Sequence, residues 1–356
     1  MTGPPRAYDL IIFDLDGVIT TEHIYWECAR LTLWELLYLR LSAGGGYVNA
    51  VHDWAAREQI LPQSLVFAVK NRAVNSNWDL TFVAACALLG SLETAVNGAD
   101  TVDGILRALR RRGRRPAPWP EAVCNLLEAG DGGQGAALVA FAGRWASQKI
   151  GAPQALFLPG GPWWRYLYER FQLWYDGPLM GLWGAAPLQE KPVLPVERIR
   201  DVLLRLRAAG CELGVATGRP RGEALRALRS FGVLDCFAAE RVVTHTEVEA
   251  AQRQHGGEPL GKPHPFAIWR ALWPDVETSA LLRERWPESN IRALVVGDAP
   301  SDALAARAAG LSCLGVLSGV IGDGQARQAR RAALQEAGCV AVLDDLTEIP
   351  AWLSTL

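Results

Sequence analysis

Apolar residues along this chain follow two rhythms. In YDLIIFDLDGVIT (8–20), the run Leu10, Ile11, Ile12 and Phe13 continues to Leu15, is interrupted by Asp14 and Asp16, and stops at Gly17. A short apolar run without polar alternation is the pattern of a strand buried on both faces. It returns in CELGVAT (211–217), IRALVVGD (291–298) and SCLGVLSG (312–319). Between these runs the period changes. LPVERIRDVLLRLRAAG (194–210) sets Val196, Ile199, Val202, Leu203 and Leu206 at helical spacing, with Pro195 in its first turn and Gly210 as its stop. RGEALRALRSFG (221–232) and PSDALAARAAG (300–310) read the same way, each closed by glycine. Strands alternating with short helices predict an α/β fold, a parallel sheet covered on both faces.

Residues 21–189 lack that alternation. WECARLTLWELLYLRL, NWDLTFVAACALLG, GAALVAFAGRWASQKI and WWRYLYERFQLWYDG all read as helices, and ten of the fourteen tryptophans fall here. The simplest organisation is a core made of residues 1–20 and 190–356, with an all-helical domain, 21–189, inserted after the first strand. LRRRGRRPAPWP (109–120) reads as a solvated basic loop within the insert, since its arginines lack the interleaved aromatics of a nucleic-acid surface.

Composition narrows the partners. The net charge of −2 argues against nucleic acid or an anionic membrane as partner, and no apolar run reaches the roughly 18 residues a membrane span needs. The seven cysteines are scattered, without a C-x-x-C pair, and read as small buried apolar residues of a reducing, cytoplasmic setting. Only four of the 36 basic residues are lysines; genomic base composition accounts for the bias, with the corollary that a retained lysine is a candidate for a place that needs a compact ammonium.

The strand ends carry the chemistry. Asp14 and Asp16 follow the first strand, Thr217, Gly218 and Arg219 the second, and Gly297, Asp298 and Asp302 a later one, with Lys262 in the loop GKPHP between them. Open parallel sheets bind ligands at the carboxyl ends of their strands, so these residues should converge. Convergent carboxylates repel by roughly 4 kcal/mol per pair at 4 Å and an effective dielectric of 20. A hard divalent cation such as Mg2+, together with Lys262, resolves that conflict, and a phosphate ester fits the remaining donors.

DLDGVIT, ATGR, GKPHP and GDAPSD, in this order, resemble the four motifs of the haloacid dehalogenase-like (HAD) superfamily in its phosphatase branch. The resemblance implies a Rossmann-like core with a helical cap inserted after the first motif, closing over the site. It implies Asp14 as nucleophile through an aspartyl-phosphate, and Asp16 as the acid for the leaving alcohol and the base for water. Thr217, with Gly218, would hold the phosphoryl group, and Lys262 would balance its charge. Mg2+ would be held by Asp14, the backbone carbonyl of Asp16 and Asp298, with Asp302 either a further ligand or a partner of the ligands. About 200 residues separate Asp16 from Thr217 and about 40 separate Thr217 from Lys262, which matches an insert after the first motif. An acid two residues after the nucleophile disfavours the dehalogenase and phosphonate-cleaving branches. FQLWYDG (171–177) further resembles phosphoglycolate-phosphatase-like members.

The expected activity is hydrolysis of a small phosphorylated metabolite. Its rivals are a phosphosugar mutase of the β-phosphoglucomutase type and a non-catalytic binding protein on the same core. In the insert, Ser76 and Asp79 fit a helix capping box, whereas Lys70, Arg72, Asn75 and Asn77 have no such local account and are candidates for gripping the non-reacting end of an anionic substrate. His23 is a candidate acid–base group for the mutase reading. Arg219 reads as a local cap or pair, and His264 as ordering its loop.

Overall fold

The structure is a computed structural model describing residues 8–41, 50–72, 74, 76–96, 98–113, 119–131, 133–257, 259–283, 291–320 and 324–356. The chain forms two compact units, Met1–Glu22 with Glu190–Leu356, and His23–Gln189.

The first unit is built on six strands: β1 (Leu10–Phe13), β2 (Glu212–Ala216), β3 (Val242–Val243), β4 (Ala293–Gly297), β5 (Ser312–Val316) and β6 (Ala341–Leu343). They lie in the order β3-β2-β1-β4-β5-β6, and every adjacent pair is parallel. β1 is central, with Phe13 opposite Val215 on one side and Val296 on the other. Its uninterrupted apolar run follows from this position, because alternate side chains enter different cores. Ile11 and Phe13 join Val215, Val296 and Leu314 beneath the helices Val196–Ala208 and Arg221–Ser230. Leu10 and Ile12 join Val243, Val295, Ile268 and Ala306 on the opposite face. The strand order reverses at β1, which places a switch point between β1 and β4.

Two strands escape the apolar pattern: β3 and β6, at the two edges of the sheet, have only two and three residues, too few to carry a period. Pro195 is the N-cap of Val196–Ala208 and not a residue of its first turn.

The second unit is helical, including Asn77–Ser91, Gly135–Ile150 and Pro162–Tyr175. Asn77–Ser91 is apolar nearly all round, and every residue from Leu80 to Gly90 is buried, so it is the central helix of this unit. The predicted helix over 26–41 divides into an α-helix, His23–Trp34, and a π-helical stretch, Glu35–Leu41. Glu35 is buried there and bonded to Arg40 and Arg170. Buried Glu27 and Arg30 pair at 2.6 Å, and Arg57 adds a second cation to Glu27 at 3.1 Å.

The basic segment expected as a loop is helical at its start. Val102–Arg112 runs through Leu109, because Thr101 caps its first turn and three arginines occupy its last turn, where cations favour the helix terminus. Residues 114–118 lie outside the described residues. Of the seven cysteines, all free thiols, five are buried; Cys339 is half-buried and Cys124 is exposed on the helix Trp119–Ala129, contrary to the expectation of uniform burial. Among the described residues no helix is long and apolar enough to cross a membrane.

Gly143 allows Gly135–Ile150 to pass directly against the backbone at Phe157. A Cβ there would meet the Phe157 carbonyl oxygen at 2.0 Å. Overpacking of this kind costs about 1–3 kcal/mol, against about 1 kcal/mol gained from alanine's better helix propensity. Gly143→Ala is therefore expected to lower the urea unfolding midpoint of the helical unit; an unchanged or higher midpoint would contradict this packing.

Candidate active site

Because the sheet is parallel, β1, β2 and β4 end at the same edge and deliver Asp14, Thr217 and Asp298 together. Asp14 continues the β1 ladder, its amide donating to the Val296 carbonyl at 2.9 Å. Gly17 then turns the chain with φ +76°, and its missing side chain is required: a Cβ would sit 2.1 Å from Asp298 Oδ2. Asp302, in the first turn of Pro300–Ala308, is buried, and its Oδ2 accepts from the Ala299 amide at 3.1 Å.

Ligand oxygens of Asp14, Asp298 and Asp302 lie within 4.8 Å of one another. Lys262 Nζ bridges two of these groups, at 2.9 Å from Asp14 Oδ1 and 2.7 Å from Asp302 Oδ1. Burial alone would lower the Lys262 pKa, but Asp14 and Asp302 outweigh it and hold the ammonium protonated. Asp14 is raised from 3.8 to about 7, first by burial, with Lys262 opposing and Asp302 and Asp16 adding to the rise. Asp298 is pushed well above the usual carboxylate range by burial, an effect that Arg330 opposes and that Asp302, Asp14 and Glu22 reinforce. One ammonium bonded within three close carboxylates leaves a negative excess. All the donors are oxygens, the set that a hard divalent cation takes. The group fits Mg2+.

Asp16 belongs to a different set. Its carboxylate accepts from Arg219, with Nη2 2.6 Å from Oδ1, and from the Thr20 hydroxyl at 3.0 Å. Thr217 is buried; its amide donates to the Val243 carbonyl, and its Oγ1 accepts from the Arg219 amide at 3.2 Å. Gly218 is exposed, with open space where a side chain would be. His264 Nδ1 accepts from the Phe266 amide at 3.1 Å, which fixes the loop after Lys262.

The expected core residues thus fall into two neighbouring groups, one around Lys262 and one around Arg219. Lys70, Arg72 and Asn77 belong to the helical unit: Lys70 ends the helix Gln63–Lys70, Arg72 follows it, and Asn77 opens the next helix. Asn75 lies outside the described residues. His23 opens the helix His23–Trp34. Ser76 caps its helix through the Asp79 amide, while the Asp79 carboxylate accepts from the Trp164 indole at 2.7 Å, 85 positions away, so this acid is held by a tertiary contact.

Two residues of the edge were not among the expected ones. Arg330, on Gly324–Glu336, donates to the Asp298 carbonyl at 3.0 Å, and Glu190 accepts from Arg219 at 2.8 Å. Neither stands near a motif, and their partners are 32 and 29 positions away.

Residues 182–310 match the family described as haloacid dehalogenase-like hydrolase. The matched segment runs from the end of the helical unit through β2, β3 and β4 to the helix Pro300–Ala308. An X-ray structure determined as a structural-genomics target is 23% identical, with a TM-score of 0.75, and the alignment covers 98% of both chains; it shares the fold. A HAD family hydrolase from Deinococcus radiodurans R1, solved with bound phosphate and sodium, is 18% identical at a TM-score of 0.41, covering 99% of this chain and 97% of its own. A predicted phosphoglycolate phosphatase from Haemophilus somnus 129PT is 15% identical at 0.44, covering 98% and 99%. No curated protein matches the chain.

The carboxylate cluster predicts a pH-dependent response to metal. A carboxyl raised from 3.8 to about 7 contributes stability that is complete below the lower value and is lost as pH rises toward the upper one. A cation binds the ionised form and removes that loss. Added Mg2+ is expected to raise the melting temperature more at about pH 8 than at about pH 5.5, and Asp298→Asn to abolish most of the rise. Equal rises at both pH values would count against a site made of these carboxylates.

Proposed function

We propose that the chain is a Mg2+-dependent phosphomonoester hydrolase working through an aspartyl-phosphate. The observation that carries this reading is Lys262, bonded at once to Asp14 and to Asp302 at the end of the central strand, while the second acid, Asp16, is held apart by Arg219. A nucleophile and a proton carrier are two carboxylates with different tasks, and here they have different partners.

In this mechanism an Asp14 oxygen attacks phosphorus. The bond to the ester oxygen breaks as the Asp14–phosphorus bond forms, and Asp16 gives its proton to the departing oxygen. Asp16, now ionised, takes a proton from water as that water's oxygen attacks the phosphoryl group, which frees Asp14 and inorganic phosphate. Lys262 keeps Asp14 aimed and offsets charge, and Thr217 offers its hydroxyl to a phosphoryl oxygen. Asp14, Asp298 and Asp302, with the Asp16 carbonyl, are the residues that would hold Mg2+, which when bound supplies charge neutralisation between the carboxylates and the phosphate. An intact acid–base aspartate is of no use to a purely binding protein.

The test is inorganic phosphate release over phosphoglycolate, glycerol phosphate, hexose phosphates and 4-nitrophenyl phosphate, with and without Mg2+. Release is expected to require Mg2+ and to disappear in Asp14→Asn. Conversion of a hexose 1-phosphate to its 6-phosphate without phosphate release would favour the mutase reading instead.

We further propose that the helical unit contributes selectivity through Lys70, Arg72, Asn75 and Asn77. For an anionic substrate found in the panel, Arg72→Met is expected to raise KM severalfold with kcat little changed, the signature of lost uniform binding. A fall in kcat at unchanged KM would refute a purely binding role.

A further inference from the structure

We infer that Arg219 is the positioning residue for the Asp16 proton transfer and that Glu190 holds Arg219 in place for it. This rests on the phosphomonoesterase reading above.

The geometry is that of a fork closed on one carboxylate. Arg219 Nε donates to Asp16 Oδ1 at 3.0 Å and to Oδ2 at 3.1 Å, and Nη2 donates to Oδ1 at 2.6 Å. Nη2 also reaches the Thr20 hydroxyl at 2.9 Å, and that hydroxyl donates onward to Asp16 Oδ1 at 3.0 Å. The remaining arm, Nη1, donates to Glu190 Oε1 at 2.8 Å. The Arg219 and Glu190 side chains are 1% and 5% exposed. The Arg219 backbone is pinned as well: its amide donates to Thr217 Oγ1 and its carbonyl accepts from the His245 amide at 2.9 Å. The residue that fixes Asp16 is thus two positions from the threonine proposed to hold the phosphoryl group.

Burying an arginine for stability alone is poor economy, because apolar side chains of similar volume are often as good or better. A planar fork does what they cannot, which is to fix both the position and the plane of a carboxyl group. Glu190, on the other arm, holds the guanidinium so that its free edge faces Asp16. The three groups together form a holder that keeps the acid in place.

The test uses kcat/KM, which reports the free enzyme and the step that phosphorylates Asp14. The substrates are the best alkyl phosphomonoester of the panel and dinitrophenyl phosphate, whose leaving group needs no proton. Asp16→Asn, Arg219→Ala, Arg219→Lys, Glu190→Gln and the double variant Asp16→Asn/Arg219→Ala are compared in Mg2+. Arg219→Ala is expected to lower the alkyl rate about 100-fold, within the range of acid catalysis, and to leave the dinitrophenyl rate much less affected. Arg219→Lys should fall between, having the charge without the fork. In the Asp16→Asn background, Arg219→Ala should add almost nothing, because the two act as a unit.

Equal losses on both substrates, or losses that multiply in the double variant, would overturn the positioning role. If Arg219→Ala does not fold, Arg219→Lys, which keeps the charge without the fork, decides: a selective loss on the alkyl ester supports the proposal and an equal loss refutes it. If Asp16→Asn itself affects both substrates equally, the acid role of Asp16 fails, and the inference falls with the reading beneath it. The Asp14→Asn control separates that result from failure of the whole mechanism.

Discussion

Negative charge gathered at one edge of a parallel sheet is the constraint on which this molecule turns. Asp14 and Asp298 arrive there because neighbouring parallel strands end together, and Asp302 because its helix starts at the same edge. Burial makes the charge expensive, as the upward shifts at Asp14 and Asp298 record. Lys262 meets part of it with two short bonds, and the Ala299 amide and Arg330 secure the backbone and side chains around it. A sheet edge arranged in this way is poorly suited to an apolar ligand and well suited to a cation and an anion bound together.

A second principle is the separation of the two acids. Asp14 and Asp16 are two positions apart, yet one faces an ammonium and the other a guanidinium. Lysine offers a compact charge that can serve two oxygens of different groups, whereas arginine offers a plane that locks onto one carboxyl group. In a chain with four lysines and 32 arginines, the cation at Asp14 is a lysine.

What could be read in advance follows from how local each feature is. β1 and β4 were legible because they are buried and apolar throughout, and β2 and β5 because only their first residues, Glu212 and Ser312, break the same pattern. β3 and β6 were not, since two or three residues carry no period. The π-helical turn at Glu35–Leu41 shares its apolar residues with an ordinary helix, and its buried glutamate is explained by Arg170, 135 positions away. The same holds at the site. Asp14, Thr217 and Asp298 stand at strand ends and announce themselves, and Lys262 does so through its motif. Arg219 could be located but not understood, because its principal partner is 203 positions distant. Glu190 and Arg330 carry no local signal at all.

The central place of β1 has a consequence for the order in which the chain is made. Its neighbours β2 and β4 begin at Glu212 and Ala293, so nearly two hundred residues are synthesised after β1 before its first partner exists. At about 5–20 residues per second that interval lasts on the order of 10–40 s. During it the helical unit, continuous from His23 to Gln189, can complete its own core. Asp14, directly after β1, can meet Lys262 only once synthesis has passed that lysine.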